Sequence, residues 1–148
     1  LVEKTRSPSR NEFCARNVSG NASQTGKKNE MNTIEKRNIK FSNKIINGEV
    51  YKIAEGGIGH ISMIYDIKTL DEFIKITDLA LSGKFELIDN SDVSGEWEVA
   101  FVTPNGVEIY DDKVQNIEYI IPLIEFKDML EAWKLFLKTP PLHGNRIY

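Results

Sequence analysis

The sequence YIIPLIEFKDMLEAWKLFLK, residues 119–138, joins a β-strand directly to an amphipathic helix. Its first three residues are large and apolar, and they close a strand predicted over residues 114–121. After Pro122, large apolar side chains recur at intervals of three and four residues, the spacing of one helix face: Phe126, Met129, Leu130, Trp133, Phe136 and Leu137. We therefore expect a helix from about Leu123 to Lys138 that packs on a sheet and ends before Pro140-Pro141.

A second helix is predicted earlier in the chain. Thr69-Leu70-Asp71-Glu72 fits a capping box, in which the threonine and glutamate side chains bond to free amides at the helix start. Leu70, Phe73, Ile74 and Leu81 form an apolar stripe. Gly83 is expected to end the helix, because glycine adopts the left-handed conformation of a helix C-terminus.

The intervening segments are typical of strands joined by tight turns. Asn47-Gly48 is the preferred pair for a type I′ turn, so residues 44–53 predict a hairpin. Residues 96–103 and 107–111 predict another hairpin around the three-residue loop Pro104-Asn105-Gly106, with Phe101 facing Ile109. Further strands are predicted over residues 60–67, 84–88 and 114–121.

These elements predict an α+β fold: a mostly antiparallel sheet of about six or seven strands with two helices packed on one face. The globular domain is placed at residues 37–141. Residues 1–36 predict a disordered basic tail or an upstream extension, since apolar residues there are sparse and aperiodic. Met31 is either the true start or part of an authentic tail, and residues 142–148 are expected to form a C-terminal tail.

Charge is unevenly spread along the 148 residues. The chain carries a net charge of −3, yet residues 44–138 contain nine lysines and eighteen Asp or Glu, and residues 1–30 have a net charge of +3. An acidic domain repels phosphates, so we expect a basic protein partner and no nucleic acid. No apolar run reaches the roughly 18 residues of a membrane span, and no signal peptide is recognised. We therefore expect a cytoplasmic protein that does not bind membranes.

Catalytic chemistry is poorly supported, and we expect no enzyme, no cofactor and no metal site. The Gly56–His60 loop lacks the Lys-Ser/Thr of a phosphate-binding P-loop. Cys14 has no companion cysteine, and His60 and His143 have no pattern of metal ligands around them. A small ligand-binding protein or enzyme that uses the Gly56–His60 loop remains an alternative.

A partner-binding surface is predicted around the second hairpin. Its acids either keep the surface soluble or form a patch for a basic partner; clustered like charges cost stability, and tyrosine is common at interfaces. The candidate partner-binding residues are Asp89, Asp92, Glu96, Glu98, Glu108, Tyr110, Asp112 and Glu118. Trp97 and the helical stripe with Trp133 are assigned to the core.

The strand and the Phe-x-x-x-Leu-x-x-Trp-x-x-Phe-Leu helix of residues 119–137, ending at prolines, resemble the immunity proteins of bacterial polymorphic-toxin and contact-dependent growth-inhibition systems. The resemblance covers roughly residues 39–141 and extends to size, acidity and the sheet-rich order. It implies a cytosolic inhibitor that binds a cognate toxin domain, often a nuclease, and blocks its active site or substrate surface. A mobile-element accessory protein that binds another host factor is a further alternative, and the oligomeric state is left open.

Overall fold

The computed structural model describes residues 32–147. Three helices in this range are α1 (Thr33–Lys36), α2 (Ile67–Leu81) and α3 (Leu123–Leu137). The strands are β1 (Lys40–Ile46), β2 (Glu49–Glu55), β3 (Ala100–Thr103), β4 (Gly106–Tyr110) and β5 (Ile117–Ile121). A short 3-10 turn, Phe85–Leu87, follows α2.

The predicted single sheet of six or seven strands is wrong, although the fold is α+β. Residues 32–147 form five strands in two antiparallel sheets, β1-β2 and β3-β4-β5. No strand forms at residues 60–67, where one was predicted: residues 60–63 form turns and Ile67 begins α2. The predicted strand at 84–88 is replaced by the 3-10 turn Phe85–Leu87. A physical reason for the first difference is spacing: Ile58, Ile61 and Ile64 lie three residues apart, which suits consecutive turns better than the alternation of a strand.

The β1–β2 hairpin is confirmed at Asn47-Gly48. Both residues have positive φ, 52° and 78°, and Ile46 pairs with Glu49 across the two-residue turn. The C-terminal segment then joins this hairpin, because the Ile147 N–H donates to the Gly48 carbonyl at 2.6 Å and further backbone bonds join residues 144 and 145 to β2. Residues 142–147 thus pack on the folded body, where the sequence analysis placed a tail.

The β3–β4 hairpin is shifted by one residue from the predicted register. Thr103 pairs with Gly106 across a two-residue loop, and Phe101 pairs with Glu108 rather than with Ile109. Side chains alternate between the two faces of a strand. A shift of one residue therefore changes which side chains of β3 lie on the same side of the sheet as a given side chain of β4. The face buried in the core carries Ala100, Val102, Val107 and Ile109.

Helices α2 and α3 pack against each other, and they contact β3 and β4 respectively. Trp133 of α3 is fully buried, and its indole N–H donates to the Ile64 carbonyl at 2.7 Å. The predicted apolar stripe of α3 therefore faces the core, with Phe126, Met129, Leu130, Trp133 and Leu137 buried. No helix formed by residues 32–147 is both long and apolar enough to cross a membrane.

The start of α2 differs from the predicted capping box, and its end agrees with the prediction. The helix begins at Ile67 with Asp66 as its N-cap. The Asp66 carboxylate accepts from the Lys68 N–H at 3.3 Å and from the Thr69 hydroxyl at 2.7 Å. Gly83 has φ 73° and ends the helix in the left-handed conformation.

Helix α1 lies in the segment that the sequence analysis assigned to the basic tail, and it is fastened to α3. The Thr33 hydroxyl donates to Asp128 at 2.7 Å. Lys36 and Arg37 both pair with Glu125, at 2.6 and 2.8 Å. The rest of the predicted tail, residues 1–31, lies outside the described residues.

Candidate functional site

An acid-lined depression of about 410 Å³ opens beside the three-stranded sheet. We call it the acidic recess and define it by the residues that line it: Gly59, His60, Trp97, Glu98, Asp112 and Tyr119. These residues come from four separate parts of the chain: the turns after β2, the loop before β3, the turn after β4, and β5 itself.

Backbone pairing holds the loop of residues 94–99 against the sheet and so positions Trp97 and Glu98. The Tyr110 N–H donates to the Val99 carbonyl at 2.9 Å, and the Gly95 N–H donates to the Glu98 carbonyl at 2.9 Å. Glycine is required at Gly95, because a β carbon there would lie 2.9 Å from the His60 carbonyl oxygen. The loop therefore lies directly against the backbone and ring of His60.

His60 forms the buried wall of the recess, and its side chain is 2% exposed. Its Nε2 lies 2.7 Å from the Val93 carbonyl oxygen. A carbonyl can only accept, so Nε2 must carry a hydrogen. In the neutral ring, Nδ1 is then an acceptor. It has no hydrogen-bond partner among residues 32–147, and it lies 3.4 Å from Glu98 Oε1.

Tyr119 also contacts Glu98. Its hydroxyl lies 3.3 and 3.4 Å from the two carboxylate oxygens and donates to them. Burial, the negative charge of Glu98 and the hydrogen bond to Glu98 raise the pKa of Tyr119 to about 12. Tyr119 therefore keeps its hydrogen at neutral pH and donates it to the carboxylate.

Trp97 stands at the rim with 75% of its surface exposed. The prediction that it belongs to the core is wrong, because residues 96 and 97 form a bend outside β3 and the alternation of a strand does not apply to them. The Trp97 side chain therefore remains available to a partner at the mouth of the recess.

A second cavity of about 280 Å³ adjoins the recess and shares Gly59, His60 and Tyr119 with it. It is lined mainly by the Gly56–Ile61 segment. Gly56 has φ 104°, and a β carbon there would overlap the Asn38 carbonyl. This glycine thus permits close approach of two backbone segments. Arg37 also lines the cavity, and its guanidinium is held by Glu125.

The structure distributes the eight candidate partner-binding residues over several places. Glu98 and Asp112 meet in the acidic recess. Asp89 and Asp92 line a separate groove beside α2. Glu96 and Glu118 are exposed, and Tyr110 and Glu108 lie together on β4.

Glu108 is turned away from solvent rather than presented to it. It is 8% exposed, and it accepts from the Thr103 hydroxyl at 3.1 Å and from the Tyr110 hydroxyl at 3.4 Å. These hydrogen bonds satisfy the carboxylate within the sheet. The Tyr110 hydroxyl and the Glu108 carboxylate are therefore hydrogen-bonded to each other on β4.

Four residues of the recess were not among the candidate partner-binding residues: Gly59, His60, Trp97 and Tyr119. Of these residues, Trp97 could have been recognised as exposed from the sequence. It follows Gly95 and stands between Glu96 and Glu98, and an aromatic residue between two charged residues is poorly suited to a core. Tyr119 looks like any strand residue, and only the pairing of Ile109 with Tyr119 places it beside Glu98.

The other histidine has a structural role. His143 Nδ1 accepts from the Lys52 N–H at 3.1 Å, and its ring stacks on Tyr65 with centroids 3.9 Å apart. His143 thereby ties the C-terminal segment to β2.

Within residues 32–147, no three His, Cys, Asp or Glu side chains are grouped so that they could hold a metal ion. Comparison of the chain with protein-family models, curated proteins and solved structures found no match.

Proposed function

We propose that this chain is a cytoplasmic inhibitor of a basic protein, namely the immunity protein of a bacterial polymorphic-toxin or contact-dependent growth-inhibition system. Its role in this proposal is binding rather than catalysis. The acidic recess contacts the cognate toxin domain, which is a nuclease or another enzyme with a basic surface. Nucleic acid and membranes are not partners in this proposal.

The observation that carries the proposal is the exposure of Trp97 beside two carboxylates. A tryptophan that is 75% exposed leaves a large apolar area in water, which burial by a partner would remove favourably. Tryptophan is also among the residue types most enriched at interface hot spots. Glu98 and Asp112 next to it favour a partner surface that combines apolar area with positive charge.

The test uses the purified domain encoded directly upstream of this chain, with its enzymatic activity and its Kd measured together. Trp97→Ala is expected to raise the Kd by about 30-fold, the effect of losing one hot spot, and to relieve inhibition accordingly. Leu135→Ala is the matched control, because Leu135 is 69% exposed on α3 and does not line the recess.

Two results would count against the proposal. If the upstream domain neither binds nor loses activity, the inhibitor function is wrong for that pair. If it binds and Trp97→Ala leaves the Kd unchanged, the recess is not the contact point.

The cavity lined by the Gly56–Ile61 segment favours a second candidate, a small-ligand binding site. Its volume of about 280 Å³ is at the lower limit for small-molecule sites. A fragment screen by NMR would test it. Shifts at the amides of Gly57 and Gly59 that saturate with one compound would support this candidate.

A further inference from the structure

His60 presents a buried ring nitrogen, Nδ1, that no described residue satisfies with a hydrogen bond. Its side chain is 2% exposed. A buried polar atom without a partner costs free energy. The polar group nearest to Nδ1 is the Glu98 carboxylate, whose Oε1 lies 3.4 Å away. In the neutral ring both groups are acceptors, so they cannot satisfy each other.

The recess as a whole is rich in acceptors. Among residues 32–147, Glu98 receives a hydrogen bond from the Tyr119 hydroxyl, and a carboxylate can accept about four. Asp112 adds a second carboxylate to the lining. Arg37 lines the adjoining cavity, and its guanidinium is paired with Glu125 at 2.8 Å.

An aromatic ring completes the arrangement. The Trp97 side chain is 75% exposed at the rim, where its face can attract a cation. Guanidinium matches this combination better than ammonium does, because it is planar, stacks on aromatic rings and offers five N–H donors in fixed directions. A compact ammonium with three donors and a tight hydration shell makes less use of the ring.

We propose that the acidic recess receives one arginine side chain of the partner protein, with its guanidinium against Trp97 and its N–H groups donated to Glu98 and Asp112. The guanidinium supplies Glu98 with a positive charge and with donors beyond the Tyr119 hydroxyl. His60 is a positioning residue, because its ring is fixed by the Val93 carbonyl at 2.7 Å and forms the wall against which Glu98 lies. This inference rests on the proposed function, since it names the group by which the partner is recognised.

The direct test titrates the protein with three blocked peptides: acetyl-Gly-Arg-Gly-amide, its citrulline analogue and its lysine analogue. Citrulline keeps the shape of arginine and removes the charge. Binding is followed by NMR at the Trp97 indole N–H and the His60 ring. We expect the arginine peptide to bind about tenfold more tightly than the citrulline peptide and to shift both signals.

Paired variants separate the recess from the general negative charge. Glu98→Gln with Asp112→Asn is expected to abolish the preference for arginine over citrulline. Glu72→Gln with Glu86→Gln removes the same charge from exposed positions outside the recess and should preserve that preference. His60→Phe keeps an aromatic ring against Phe126 and is expected to reduce the preference severalfold without abolishing it.

Three outcomes would overturn the inference: equal binding of arginine and citrulline peptides, equal binding of arginine and lysine peptides, or the same loss in both double variants. Its failure is distinguishable from failure of the proposed function. A toxin domain inhibited equally by the protein and by the Glu98→Gln, Asp112→Asn variant would leave the inhibitor role intact and remove the arginine site.

Discussion

At the scale of single residues, Gly95 and Gly59 differ in the space that each leaves for a side chain. Gly95 lies against His60, where a β carbon would come within 2.9 Å of the carbonyl oxygen and 3.3 Å of Cε1 of the ring. Gly59 lines the acidic recess, and a β carbon there would meet nothing within 4 Å. A side chain would therefore be crowded at Gly95 and would have open space at Gly59.

Gly95→Ala is expected to push the 94–99 loop away from His60 and to lower the free energy of unfolding by about 1–3 kcal/mol, the usual cost of overpacking. Gly59→Ala is the matched control and should change it by less than about 0.5 kcal/mol. Urea unfolding measures both. Equal stability of the two variants would show that the loop shifts freely and that His60 is not held by it.

At the scale of elements, signals that act within a few residues could be read from the sequence. The stripe of α3 buries Trp133 as predicted, Asn47-Gly48 forms the turn between β1 and β2, and Gly83 ends α2 with positive φ. Each of these features is indicated by a pattern of residues that are close together in the sequence. Local propensity and hydrogen bonding are sufficient to specify them.

Elements whose position depends on residues far away in the sequence could not be predicted correctly from local patterns. The register of β3 and β4 places Gly106 inside the sheet, paired with Thr103, where its backbone also lies close to β5: a β carbon at Gly106 would be 2.7 Å from the Ile121 carbonyl oxygen. No local pattern distinguishes a two-residue from a three-residue loop at Pro104-Asn105-Gly106. The shift by one residue places Phe101, and not Val102, opposite Glu108. Glu108 was named as a partner-binding residue because no local pattern shows that Thr103 and Tyr110 hydrogen-bond its carboxylate within the sheet.

The attachment of α1 to α3 should depend on pH. Hydrogen bonds from Lys36 and Arg37, together with their positive charges, lower the pKa of Glu125 below its ordinary value of 4.5. The folded state therefore holds the Glu125 proton less tightly than the unfolded state does. Its contribution to stability is complete above about pH 4.5 and is lost as the pH falls through the lowered pKa.

Glu125→Gln is expected to lower the free energy of unfolding at pH 7 by roughly 1–2 kcal/mol, because it removes charged hydrogen bonds from a largely buried carboxylate. The difference from the unaltered protein should shrink as the pH falls below 4. Urea unfolding at pH 7 and pH 3 measures it. A difference of the same size at both values would mean that the charge of Glu125 contributes nothing.

At the scale of the whole molecule, the acidic recess needs the three-stranded sheet, the loop that leads into it and the turns after β2 to be in place together. Its lining comes from residues 59–60, 97–98, 112 and 119, which are separated by up to about sixty positions. Sequence patterns could identify two of its acids, Glu98 and Asp112. They could not show that Glu98 lies 3.4 Å from a buried histidine, because that contact is a product of the complete fold.

Net charge is the other property of the whole molecule. Residues 44–138 carry a net charge of −9, so a basic partner is attracted from beyond contact distance, and salt screens that attraction. We expect the Kd of the toxin complex to rise at least about tenfold between 50 and 300 mM NaCl, mainly through slower association. Stopped-flow mixing measures the association rate. A rate that does not change with salt would show that charge does not guide the encounter.

The chain contains two tryptophans, and the fold gives them opposite surroundings. Trp133 is 0% exposed and Trp97 is 75% exposed. Their fluorescence therefore reports two separate events, since unfolding transfers Trp133 into water while a partner at the recess removes water from Trp97. Trp97→Phe leaves a single emitter that follows the core, and Trp133→Phe leaves one that follows the recess. The fluorescence of Trp133 thus reports the folding of the protein and that of Trp97 reports the occupancy of the recess, without any added dye.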